Sequence, residues 1–142
     1  MSVEDPYNLQ RFVTAQAQDY ESALAELRAG RKEPHWIWYI FPQVAGLGFS
    51  SMAERYAIQS KSEALAYLEH DVLGARLIEC SATLLRLDRR RIEDIMGSPD
   101  DMKLRSSMTL FKAVSSSDSI FEEVLDKFYS GYEDARTIEF PS

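Results

Sequence analysis

The chain has 142 residues, 45% of them hydrophobic, and a formal net charge of −7. A chain of this length buries roughly 68% of its unfolded surface around one core and is short for two, so a single domain over 1–142 is expected. The acidic balance speaks against nucleic acid and anionic membranes as partners, because such surfaces gather Lys and Arg to displace counterions. No apolar run approaches the roughly 18 residues of a membrane span. The densest basic run, Arg89-Arg90-Arg91, reads as a solvated helix end. The lone Cys80 forms no internal disulfide, and the N-terminus has neither the basic start nor the apolar run of a secretory signal, so a cytoplasmic location is expected.

In chain order, a short helix is expected over about 8–17. A second follows over 19–29, where Tyr20, Ala23, Leu24 and Leu27 recur at helical spacing before Gly30. Ser51 with Glu54 and Ser60 with Glu63 match the capping box, which predicts two helix starts. Between about 71 and 88, Leu73, Leu77, Cys80, Leu84 and Leu87 form one stripe while Ile78 and Leu85 lie elsewhere, the pattern of a helix apolar on two sides. One more turn, Ile92 to Met96, ends at Gly97. Ser98-Pro99-Asp100-Asp101 then reads as a cap, an N1 proline and two early acids for a helix to about Val114. Asp118 is the expected cap of a last helix that buries Phe121, Val124, Leu125 and Phe128, with Gly131 as its stop. The tail from Tyr132 is left undetermined. No segment offers a second strand to pair with the aromatic run His35 to Phe41, so that run is expected as a helical turn ended by Pro42. The fold class is all-α, a multihelical bundle of about seven or eight short helices.

The segment His35 to Ser51, HWIWYIFPQVAGLGFSS, is the most unusual part of the chain. It holds both tryptophans between polar His35 and Gln43, and so much aromatic surface is stable only when largely buried. Together with NLQRF, RYAI, EALAYL, VLGARL and GSPDDMKLRSSMTLF it closely resembles the bacterial domain of unknown function 1810 family over nearly the whole chain. The resemblance implies an all-helical cytoplasmic single-domain protein. It implies no established activity, cofactor or catalytic residue. The calpastatin label carried by some members does not suit a chain with the composition of a folded core.

On the helix after Pro99, a 100° wheel places Leu104, Met108, Leu110, Phe111 and Val114 on one arc, with Lys103 and Ser107 inside it and Arg105, Thr109 and Lys112 pointing away. An inward lysine needs an anion, a carbonyl or a route to water. His35, with an ordinary pKa near 6.5, is the one candidate for acid–base chemistry. His70 reads as a cap at a helix boundary. Two histidines and one cysteine give no zinc pattern, and helix capping accounts for Asp100 and Asp101 more simply than a carboxylate-only metal site does. Gly46-Leu47-Gly48 is a turn, lacking the remainder of any phosphate-binding signature, and no motif indicates a cofactor.

Three functions are therefore expected, in order. The first is a small-molecule site for a nucleotide-like or anionic metabolite, built from Trp36, Trp38, Gln43, Lys103 and Ser107. The second is an acidic helical module for protein–protein contact, and the third an enzyme using His35 as acid or base. Oligomeric state is not legible in the sequence.

Overall fold

The computed structural model describes residues 4–33 and 36–140, and His35 lies outside the described residues. Among them the chain is all-helical, with nine helices rather than seven or eight. α1 (Gln10–Ala29) is one continuous helix where two were expected, because nothing in its middle breaks the backbone ladder. Gly30 closes it in the left-handed conformation at φ 75°, returning its N–H to Glu26 and Leu27 carbonyls. The aromatic run forms α2 (Ile37–Ile40), the expected turn of helix.

α3 (Ser51–Arg55) and α4 (Lys61–Glu69) follow. Ser60 caps α4 as expected, accepting from the Glu63 N–H at 3.0 Å. Glu63 reaches back to the Gln59 N–H at 2.9 Å and pairs with Arg11 at 2.8 Å, tying α4 to α1. The cap of α3 is Ser50, one residue before the expected Ser51. α5 (Leu73–Leu85) starts where the His70 Nδ1 accepts from the Val72 and Leu73 N–H groups. Ile78 on α5 is 44% exposed, so the helix is buried on one side and not two.

α6 (Ile92–Met96) ends at Gly97, and α7 (Asp100–Ala113) begins without a serine cap: Pro99 takes the N-cap position and no side chain bonds there. α8 (Ile120–Tyr129) is capped by Ser119, not Asp118; Glu122 completes that cap from the Asp118 N–H at 3.0 Å. The tail adds α9 (Ala135–Ile138), capped by Asp134.

α7 packs against α2, α4, α6, α8 and α9, and α5 against α1, α4 and α8, around one apolar cluster. Its aromatic centre is Phe12, Tyr67, Phe111 and Phe121, with Tyr67 edge-on to Phe12 at 5.0 Å. Buried Gln16 crosses this core, its amide donating to the Tyr39 carbonyl at 2.6 Å and the Tyr67 hydroxyl at 3.0 Å. That bond fixes α2 against α1, which is what positions the aromatic run.

The outward assignment of Thr109, Arg105 and Lys112 is overturned. Thr109 is buried, and the segment after Gly131 covers this face of α7. Arg105 donates to the Tyr132 and Glu133 carbonyls at 2.9 and 2.7 Å, Thr109 accepts from the Asp134 N–H at 2.9 Å, and Lys112 pairs with Glu133. No helix among the described residues is long and apolar enough to cross a membrane.

Candidate ligand-binding site

After α2 the chain leaves the core at buried Pro42 and runs extended beside the α3–α4 connection. Two main-chain bonds join them as a parallel bridge between Val44 and Ile58: the Ile58 N–H donates to the Gln43 carbonyl at 2.8 Å, and the Ala45 N–H to the Ile58 carbonyl at 2.9 Å. The loop then turns at Gly46, whose φ of 94° suits glycine, and Arg136 on α9 donates to the Gly46 carbonyl at 3.0 Å. At Gly48 any Cβ would stand 2.7 Å from that of Ala53, so α3 approaches the loop only because this residue has no side chain.

A cavity of about 100 Å³ lies between these two tied segments. Trp38, Tyr56, Gln43, Gln59 and Glu54 supply its side chains, and the loop backbone supplies much of the rest. Tyr56 is held by edge contact with Tyr39 at 5.2 Å and by Phe12 at 5.7 Å, so this aromatic surface is backed by the core. The side-chain amides of Gln43 and Gln59 form no hydrogen bond among the described residues, leaving donors and acceptors free beside an aromatic wall. Typical ligand pockets hold roughly 300–1,000 Å³, so this cavity suits a single ring or a small polar head.

Of the five residues expected at one site, two, Trp38 and Gln43, share this wall. Trp36 is buried on the other side of α2, its indole donating to Glu26 Oε1 at 2.7 Å. Lys103 stands outside the cavity, its ammonium 5.3 Å from the centre of the Trp38 ring and 3.6 Å from Asp100 Oδ1. Asp100 also accepts Lys32 at 2.7 Å, and Lys32 lies 4.5 Å from the Trp36 ring. The result is a chain of contacts, Trp36, Lys32, Asp100, Lys103, Trp38, in which two cation–π pairs share one carboxylate. Its role toward the cavity is to hold Trp38 in place.

Ser107 is wholly buried and its hydroxyl has no partner among the described residues, although Ser106 and Thr109 on the same helix both bond back four residues. The Trp38 indole N–H is likewise buried with no partner among them. Tyr56, Gln59 and Lys32 were not singled out from sequence. The only signal for the first two was the apolar Tyr56-Ala57-Ile58 between two cap motifs, and nothing marked Lys32 as buried.

A family model described as a protein of unknown function, DUF1810, matches residues 6–140. The chain is also similar to a solved structure, the conserved hypothetical protein Rv1873 from Mycobacterium tuberculosis, at 52% identity and a TM-score of 0.94, covering 96% of this chain and 98% of that one. No protein with a curated description matches. On the match over 6–140, this chain belongs to the DUF1810 family.

Proposed function

We propose that the protein binds a small heteroaromatic or amide-bearing metabolite in the cavity beside Trp38. The ring lies against Trp38 and Tyr56, and its polar edge meets the Gln43 and Gln59 amides. The observation that carries this reading is the joining, on one concave wall, of core-backed aromatic faces and two side-chain amides with no partner among the described residues. Phe49 adds support. It follows Gly48 in the loop, and at 84% exposure its ring is the most exposed large apolar side chain described, available to cover a bound ring. Because Lys103 is spent on Asp100 and the Trp38 face, and Glu54 lines the cavity, the part of the ligand inside it carries no negative charge. The buried thiol of Cys80, the sole cysteine, supports a reducing cytoplasmic setting.

The test is a thermal-shift screen of the purified protein against nucleobases, nucleosides, nicotinamide and other single-ring amides. A ligand at 100 times its dissociation constant adds about 2.7 kcal/mol of stability. At least one compound should raise the melting temperature of the wild type and fail to do so in Gln43→Ala. A panel with no shift, or a shift that survives both Gln43→Ala and Trp38→Leu, contradicts the proposal.

A further inference from the structure

We infer that the ligand carries an anionic arm and that Arg136 receives it. This rests on the ring-binding reading above and extends it to a second compartment. On the far side of the Gln43–Gly48 loop lies a shallow depression open to solvent, about 300 Å³, lined by Arg136, Glu139, Phe140 and Leu47. The cavity and the depression share Val44, Ala45 and Gly46, so one molecule that fills the first reaches the second by passing the Gly46 backbone. Nothing stands within 4 Å of the position a Gly46 Cβ would take, so no side chain covers the loop at that point.

Arg136 is exposed, and among the described residues its one hydrogen bond runs from Nη2 to the Gly46 carbonyl at 3.0 Å. That bond orients the guanidinium over the loop and leaves its other donors for a planar or tetrahedral anion. Glu139 lines the same depression but forms no ion pair with Arg136 among the described residues, so no direct contact neutralises the cation. The ligand class that matches both compartments is a heteroaromatic ring bearing a phosphate or carboxylate on a short linker.

The experiment titrates wild type and Arg136→Gln with nucleosides and with the corresponding 5′-monophosphates, including nicotinamide riboside and its mononucleotide, followed by tryptophan fluorescence. In the wild type the monophosphate should bind about tenfold more tightly than its nucleoside, as one charge-assisted contact supplies. Arg136→Gln should abolish that difference, so that nucleoside and monophosphate bind the variant with equal affinity. Equal affinity of nucleoside and monophosphate in the wild type, or a gain that persists in Arg136→Gln, overturns the role of Arg136 while the ring site stands. Absence of binding by every pair overturns both.

Discussion

The Lys32 ammonium meets Asp100 Oδ2 at 2.7 Å with its side chain only 1% exposed, whereas Lys103 reaches the other oxygen at 3.6 Å and is 27% exposed. The two lysines share one carboxylate on unequal terms. Removing a buried partner strands a charge, at roughly 3–5 kcal/mol, but an open pair is worth about 0.2–1 kcal/mol. Lys32→Met should therefore destabilise by about 3 kcal/mol and Lys103→Met by about 1 kcal/mol or less, in urea titrations. Equal losses would mean that the pairing with Asp100 is not divided in this way.

Trp36→Ala should destabilise by about 3–5 kcal/mol. Its ring is buried against Phe41 at 6.2 Å and its N–H donates to Glu26, so the change opens a cavity and leaves that carboxylate oxygen with the Glu33 N–H alone. A loss under about 1 kcal/mol would show that the aromatic run does not anchor α2.

Ser107 and Thr109, two residues apart on α7, should respond in opposite senses. The Ser107 hydroxyl is buried without a partner among the described residues, so Ser107→Ala should be neutral or stabilise by up to about 1 kcal/mol. Thr109→Val removes the acceptor of the Asp134 N–H and should cost about 1–2 kcal/mol, with earlier proteolysis of the segment after Gly131. Guanidinium titrations and limited trypsin digestion together check this pair; a destabilised Ser107→Ala would reveal a partner for its hydroxyl.

Alkaline pH should destabilise the protein. Burial pushes the Cys80 thiol up to about 12 and also raises Tyr20, where a hydrogen bond to Glu79 adds to the effect. These groups stay protonated in the folded chain while the unfolded chain gives up its thiol proton from about pH 9, so the folded state then holds more protons and stability falls as pH rises. The contribution is complete below about pH 9 and is lost toward pH 12. Urea midpoints measured from pH 7 to 11 should be level and then fall. At pH 8 the native thiol should react with alkylating reagents far more slowly than in urea.

What was legible in the sequence follows from which forces act locally. Helix type and most spans were readable because Leu73, Leu77, Cys80 and Leu84, or Phe121, Val124 and Leu125, repeat at the period of the buried face. Caps were legible to within one residue: Ser50 and Ser119 replace Ser51 and Asp118, because neighbouring residues of similar capping ability compete and the backbone angles decide. The wheel treated Thr109 as solvent-facing, since the covering segment 132–140 contributes hydrogen bonds to its backbone and too few apolar residues for a periodic signal. At the site, Trp38 and Gln43 were findable as polar and aromatic residues side by side. Tyr56 and Gln59 come to them through main-chain pairing of Val44 with Ile58, a contact that leaves no mark in side-chain pattern. Lys103 was correctly expected to have a partner, but that partner is a carboxylate already shared with Lys32.

The most direct test of the ring-binding site uses the two indoles of the chain, Trp38 within it and Trp36 outside it, as separate reporters. In nitrogen–proton correlation spectra of labelled protein, assigned with Trp36→Phe and Trp38→Phe, nucleobase and nicotinamide fragments are added in turn. The account predicts a fragment that moves the Trp38 indole and Gln43 side-chain amide signals together and leaves the Trp36 indole unmoved. Shifts that fall on Trp36 alone, or a full panel that leaves Trp38 and Gln43 unchanged, would contradict it.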